Sequence, residues 1–242
     1  MKLLGLADRN LKEISRDPIS MILGLLMPIV FLFLFTSINK RLPLELFTPQ
    51  NLTPAVIVFG YGFFIMFAST LLAKDRQSAF LIRLYTTPLR PVDYILSYIL
   101  PFFPLLLMQT VVCFVVGILM GATFTNLGAA LVIFLLLGLT CISLGVLLGA
   151  LFTVGQVSAV GSLLITVVSL LSGAWMDLRM VGGVFEKVGY AMPFAHAIDA
   201  ARAVLKGGSL GDASSALLFL GGYALVTTAL AVIAFRRTMR KQ

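Results

Sequence analysis

The sequence predicts an all-α membrane protein with six transmembrane helices. Only 12% of its 242 residues are Asp, Glu, Lys or Arg and 60% are hydrophobic, whereas a soluble domain carries roughly 25% charged residues. The charges gather into short segments and leave four uncharged stretches, the longest running from 94 to 176. Within those stretches Leu, Phe and Val follow one another without the two-residue alternation of a closed β-barrel. Such a composition excludes disordered, collagenous and disulfide-scaffold chains, which need few large apolar residues or many cysteines. Cys113 and Cys141 both sit inside apolar runs and read as packed thiols; with a single histidine they offer no metal framework.

A helix needs about 20 apolar residues to cross ~30 Å of hydrocarbon. Residues 19–38 and 213–235 each satisfy that once, and 46–73 does so most densely after Thr53. The long stretch suits three spans, divided at the turn-forming residues 121–126 and 153–156. The expected spans are therefore 19–38, 53–73, 94–120, 128–152, 157–176 and 214–235. The first is longer than a signal-peptide core and no small-residue cleavage pattern precedes Lys40, so it reads as a retained span. With the N-terminus in the cytoplasm, 12 Lys and Arg fall inside and 6 outside, so both termini are expected to be cytoplasmic and the chain multi-pass in the cell membrane. The net charge of +8 then reflects topology and contact with anionic lipid rather than nucleic-acid binding.

Three segments flank these spans within what reads as a single membrane domain over 1–242. Residues 1–18 form an amphipathic helix, with Leu4, Ala7, Leu11 and Ile14 on one side and Arg9, Lys12, Glu13 and Arg16 on the other. It reads equally as a lead-in to the first span and as a lever that meets a partner. Residues 74–90 make the longest cytoplasmic segment, where Phe80, Leu81, Leu84 and Tyr85 form an apolar stripe closed by Thr87-Pro88. A tight connection needs only a few residues, so a helix here implies either docking or rest on lipid headgroups. Residues 177–212 are the one substantial external segment. Its short helices, broken at Gly182-Gly183 and Met192-Pro193, suggest a re-entrant or lid-like element. Trp175 reads as an interface anchor and His196 as a structural hydrogen-bonder.

Inside the spans, Gly117 with Gly121 and Gly145 with Gly149 are small-xxx-small pairs suited to close helix packing. Pro28, Pro101 and Pro104 remove backbone donors and predict kinks. Gln109, Thr110, Thr140, Ser143, Ser158, Ser162 and Thr166 either line a path or bond neighbouring helices. No lysine follows a glycine, so the chain lacks a phosphate-binding Gly-Lys-Ser/Thr loop. No charge pair lies inside a span to relay protons or ions.

Two stretches then resemble a known family. Asp75-Arg76, Leu81, Arg83-Leu84 and Thr87-Pro88-Leu89 are similar to the cytoplasmic loop of type-2 ATP-binding-cassette (ABC) exporter permeases, which reads Glu-Arg-x-x-Gly-Thr-Leu-x-x-Leu followed by Thr-Pro. Ser172-Gly173 and Pro193, His196, Asp199 and Arg202 resemble the same family's Ser-Gly and Pro-x-x-His-x-x-Asp-x-x-Arg pattern before the last span. Order and spacing agree over essentially the whole chain. Ala79 stands where the family has Gly, Ile82 where an acidic residue is common, Ser97-Tyr98 where Gly-Lys is frequent, and Asp177 and Gly182 where proline recurs.

The resemblance implies a permease subunit that pairs with a second permease copy, identical or paralogous, and with separate nucleotide-binding subunits that hold ATP and Mg. This chain itself would need no cofactor. Asp75, Arg76, Phe80, Arg83, Leu84, Thr87 and Pro88 would couple to the ATPase, and Gly173, Pro193, His196, Asp199 and Arg202 would form the external re-entrant motif. An oily, uncharged interior suits export of drug-like, lipid or peptide cargo. Two other classes stay open. An ion-coupled secondary transporter with an inverted repeat lacks the intramembrane charge it would use. A lipid-modifying enzyme would have to build its site from Asp177, His196 and Asp199.

Overall fold

The computed structural model describes residues 2–42, 44–78 and 90–239, and among them every regular element is a helix. Six helices are long and apolar enough to cross a membrane. The chain opens with α1 (Lys2–Ser15), turns at Asp17-Pro18 and enters α2 (Pro18–Asn39). A 3-10 turn at Glu45–Phe47 leads into α3 (Pro49–Gln77). The third span is composite: α4 (Pro91–Ile99), a 3-10 turn at Leu100–Phe102, then α5 (Phe103–Leu119). Pro101 and Pro104 fall at this break, where each withholds a backbone donor. The chain continues through α6 (Leu127–Leu151) and α7 (Val154–Leu171). Three short helices follow, α8 (Leu178–Val181), α9 (Gly183–Ala191) and α10 (Pro193–Leu205), before the last span, α11 (Ser214–Met239).

Helices α3 and α6 form the centre, with α11 packed along α6 and α2 and α7 along α3. The Gly145/Gly149 pair makes the α3–α6 contact. A Cβ at Gly145 would fall 2.4 Å from the Ile65 carbonyl oxygen, and one at Gly149 would fall 2.5 Å from that of Ser69. The close neighbour of this pair is thus α3 of the same chain. Gly117 also packs tightly, since a Cβ there would lie 2.5 Å from the Thr53 hydroxyl. Gly121 does not pack. It takes φ +98° with open space around it and serves the α5–α6 turn.

Several span polar groups link helices. Tyr61 and Thr110 share a hydrogen bond of 2.7 Å, Ser143 and Thr228 one of 2.8 Å, and Gln109 Nε2 donates to the Ile57 carbonyl at 3.3 Å. Ser162 and Thr166 instead bond carbonyls of their own helix and face outward.

Two boundaries differ from expectation. α3 runs on to Gln77, so Asp75 and Arg76 belong to its last turn rather than to a loop. α7 stops at Leu171 because Gly173 turns the chain with φ +75°, although the uncharged run continues to Met176. The breaks expected at Gly182-Gly183 and Met192-Pro193 are where α8, α9 and α10 meet. Trp175 is held inside an aromatic cluster, with ring centres 4.8 to 5.7 Å from Phe35, Phe31 and Phe59, and its indole donates to Ser169 at 2.6 Å.

Candidate functional site

The last turn of α3 gathers three other elements. Asp75 is 6% exposed. Its carboxylate accepts two bonds from the Arg9 guanidinium, Nη1 at 2.5 Å and Nη2 at 2.9 Å, and one from the Tyr98 hydroxyl at 2.6 Å. Asn10, fully buried, donates to the Ser97 carbonyl at 3.0 Å. One carboxylate thereby ties α1 and α4 to α3. The hydrogen bond to Asp75, partly offset by burial, raises the Arg9 pKa further.

Arg76 points the other way. Its Nη1 donates to the Gly149 carbonyl at 2.7 Å and to that of Phe152 at 3.2 Å. These are carbonyls at the end of α6, which lack intrahelical donors, and a cation there also meets the negative end of the helix dipole. The next residue, Thr153, caps the start of α7, and its amide donates to Gln156 Oε1 at 3.1 Å. Neighbouring residues on one helical turn therefore hold α1 with α4 on one side and the α6–α7 corner on the other. Segment 79–89 leaves from this turn. Phe80, Arg83, Leu84, Thr87 and Pro88 lie outside the described residues.

The fit of α1 rotates the amphipathic face that spacing alone suggests. Leu6, Ala7, Asn10 and Ile14 face the protein, while Leu4 and Leu11 face away. Arg9 reaches inward from the rim of that face. Nothing in the local spacing groups Arg9 and Asn10 with Ser97 and Tyr98, which are 87 or more residues away. Ser97-Tyr98 was visible only as a departure from the Gly-Lys usual in the resembling family, and that departure supplies the phenol bonded to Asp75.

At the far end of the spans, α8–α10 form a second polar cluster. Tyr190 donates to Asp199 at 2.6 Å, Arg179 approaches the same carboxylate at 3.5 Å, and His196 Nε2 donates to the Tyr190 carbonyl at 2.9 Å. Burial and the Asp199 hydrogen bond raise the Tyr190 pKa. Asp177 caps α8 by accepting the Arg179 amide. Arg202 donates to the Asn51 carbonyl at 3.1 Å and the Gly173 carbonyl at 3.3 Å, which ties α10 to the start of α3 and the end of α7. Burial lowers the Arg202 pKa. Pro193 sits at the first position of α10, where a missing amide costs nothing. Beneath these helices a cleft of 640 Å³ is lined by Leu44, Phe47, Trp175, Met180 and Arg202.

A six-span helical chain, with charges collected at its two ends and a four-element junction at the last turn of α3, is the architecture of a membrane transport subunit. Residues 1–206 match the family described as ABC-2 type transporter, and the chain belongs to that family. It is a membrane-spanning permease subunit of an ABC transporter, a family whose permeases normally pair with an ATP-binding subunit. No curated protein matches the chain. The matched region covers the junction and α8–α10 and ends just before α11.

Proposed function

We propose that the chain is the permease of an ATP-driven exporter, oriented with α1, the end of α3 and segment 79–89 in the cytoplasm. A partner ATP-binding subunit docks on segment 79–89. Its closure on ATP pulls the last turn of α3, and Asp75 and Arg76 pass the movement to α1, α4 and the α6–α7 corner. The observation that carries this reading is the paired tether at positions 75 and 76, which makes one turn move four elements together. Export of a hydrophobic or amphiphilic cargo is favoured by the uncharged spans. A secondary transporter would use charge inside the spans. A transferase would use Asp177, His196 and Asp199, yet these serve a helix cap, a backbone carbonyl and a tyrosine.

A second copy completes the permease. Helices α2 and α7 are the two least buried spans, and α7 turns Ala159, Ser162 and Thr166 outward. Small and hydroxylated residues allow close approach of helices in lipid, so this face is proposed to meet its copy.

The test is titration of the ATP-binding subunit against variants in nanodiscs. Arg83→Glu and Leu84→Asp should each weaken docking by roughly thirtyfold, the equivalent of losing one buried anchor. His196→Ala, on the opposite side, should leave docking unchanged. Full-strength binding by both cytoplasmic variants, or loss with His196→Ala, would overturn the topology and the coupling role.

A further inference from the structure

A second cleft of 590 Å³ opens sideways between the α1–α2 corner and α3, with α5 and α7 at its back and edge. Its volume falls within the roughly 300–1,000 Å³ of small-molecule sites. Its lining changes character with depth. At the outer end lie Glu13, Arg16, Asp17, Lys74 and Asp75. Deeper in, the walls are Met21, Leu25, Phe64, Phe67, Leu71 and Leu105. Along α3 the lining runs from Lys74 to Phe64, ten residues, or about 15 Å of helix. That depth equals about one leaflet of a ~30 Å hydrocarbon core.

The charges at the outer end have both signs. Asp75 is already held by Arg9 and Tyr98. Arg16 and Lys74 are exposed, and neither makes an ion pair among the described residues. Glu13 is exposed one turn away on α1. Ile19, 72% exposed, extends the apolar lining at the start of α2.

We infer that this cleft holds a zwitterionic phospholipid from the leaflet on the α1 side, its phosphate at Arg16 and Lys74, its ammonium toward Glu13, and one acyl chain along Phe64 and Phe67. Charge complementarity selects the headgroup: a purely anionic lipid would satisfy the cations but sit against Glu13. The depth selects the chain. A lipid so placed wedges the α1–α2 corner against α3 beside the Arg9–Asp75 contact. Its binding needs neither the ATP-binding subunit nor a cargo, so it stands or falls separately from the transport reading.

The experiment uses the full chain in nanodiscs doped with a phosphatidylethanolamine that carries a diazirine midway along one acyl chain. After photolysis, peptide mass spectrometry should place the label on α2 around 21–25 and on α3 around 64–71. Unlabelled phosphatidylethanolamine should compete, and phosphatidylglycerol should compete less well. Thr70→Phe, which fills the cleft, should cut labelling by about tenfold, the equivalent of displacing about two buried methylenes. Glu13→Lys lies on an exposed position that leaves packing intact, and it should reverse the headgroup preference. Label spread evenly over the outer faces of α2 and α11, equal competition by the two lipids, or labelling unmoved by both variants would overturn the assignment.

Discussion

Asp75 illustrates how much can rest on one carboxylate. Taking its charge out of water is costly unless the charge is paired and its lone pairs are filled. Arg9 and Tyr98 supply three donors between 2.5 and 2.9 Å. Arg9→Ala strands the buried charge and should destabilise the chain by about 3 kcal/mol, read as a lowered unfolding midpoint in detergent. Arg9→Lys should recover only part of this, because an ammonium cannot reproduce the two-pronged contact. Tyr98→Phe removes one hydrogen bond to a charged acceptor and should cost about 2 kcal/mol. Combining Arg9→Ala with Asp75→Ala should be less damaging than the sum of the two single changes. Simple additivity would mean that the two side chains do not act on each other.

At the scale of whole helices, the α3–α6 crossing is set by glycine. The missing Cβ atoms at 145 and 149 let backbone lie against backbone, which is how helices gain contact in lipid, where hydrophobic driving force is absent. Gly145→Val should push the helices apart at a cost of about 2 kcal/mol or more, while Gly128→Val, in open space, should change the unfolding midpoint little. Equal effects would show that the crossing does not depend on Gly145. The helices themselves were legible because uncharged length is a strong signal: all six spans fall where charge-free runs place them. The partners of their glycines were not legible. A small-xxx-small pair announces a close neighbour without saying whether it lies in the same chain, and for 145/149 it is α3. One boundary failed where charges lie within a helix, at the end of α3, and one where Gly173 ends α7 inside an uncharged run. Asp75 and Arg76 looked like loop residues because a lone sequence cannot show that Arg9 and the end of α6 compensate them. The short helices α8–α10 were readable from Gly182-Gly183 and Met192-Pro193, since those residues break helices for local reasons. The Tyr190–Asp199 and Arg202–Asn51 contacts depend on tertiary placement and left no local trace.

The molecule as a whole is one part of a larger machine in the proposed reading, and two measurements address that. In nanodiscs the chain should be dimeric. Ser162→Cys on the outward face of α7 should crosslink between copies, whereas Leu218→Cys on α11 should not. A monomer that still transports would end the paired arrangement. The most direct measurement is ATP hydrolysis by the purified chain in nanodiscs, before and after adding its ATP-binding subunit. Lacking a phosphate-binding loop, the chain alone should hydrolyse none. Added subunit should hydrolyse ATP in the complex, and Asp75→Asn should lower that rate without releasing the subunit, because docking would persist while the tether to α1 slackens. Hydrolysis by the isolated chain, or a rate in the complex indifferent to Asp75→Asn, would contradict the role given to the last turn of α3.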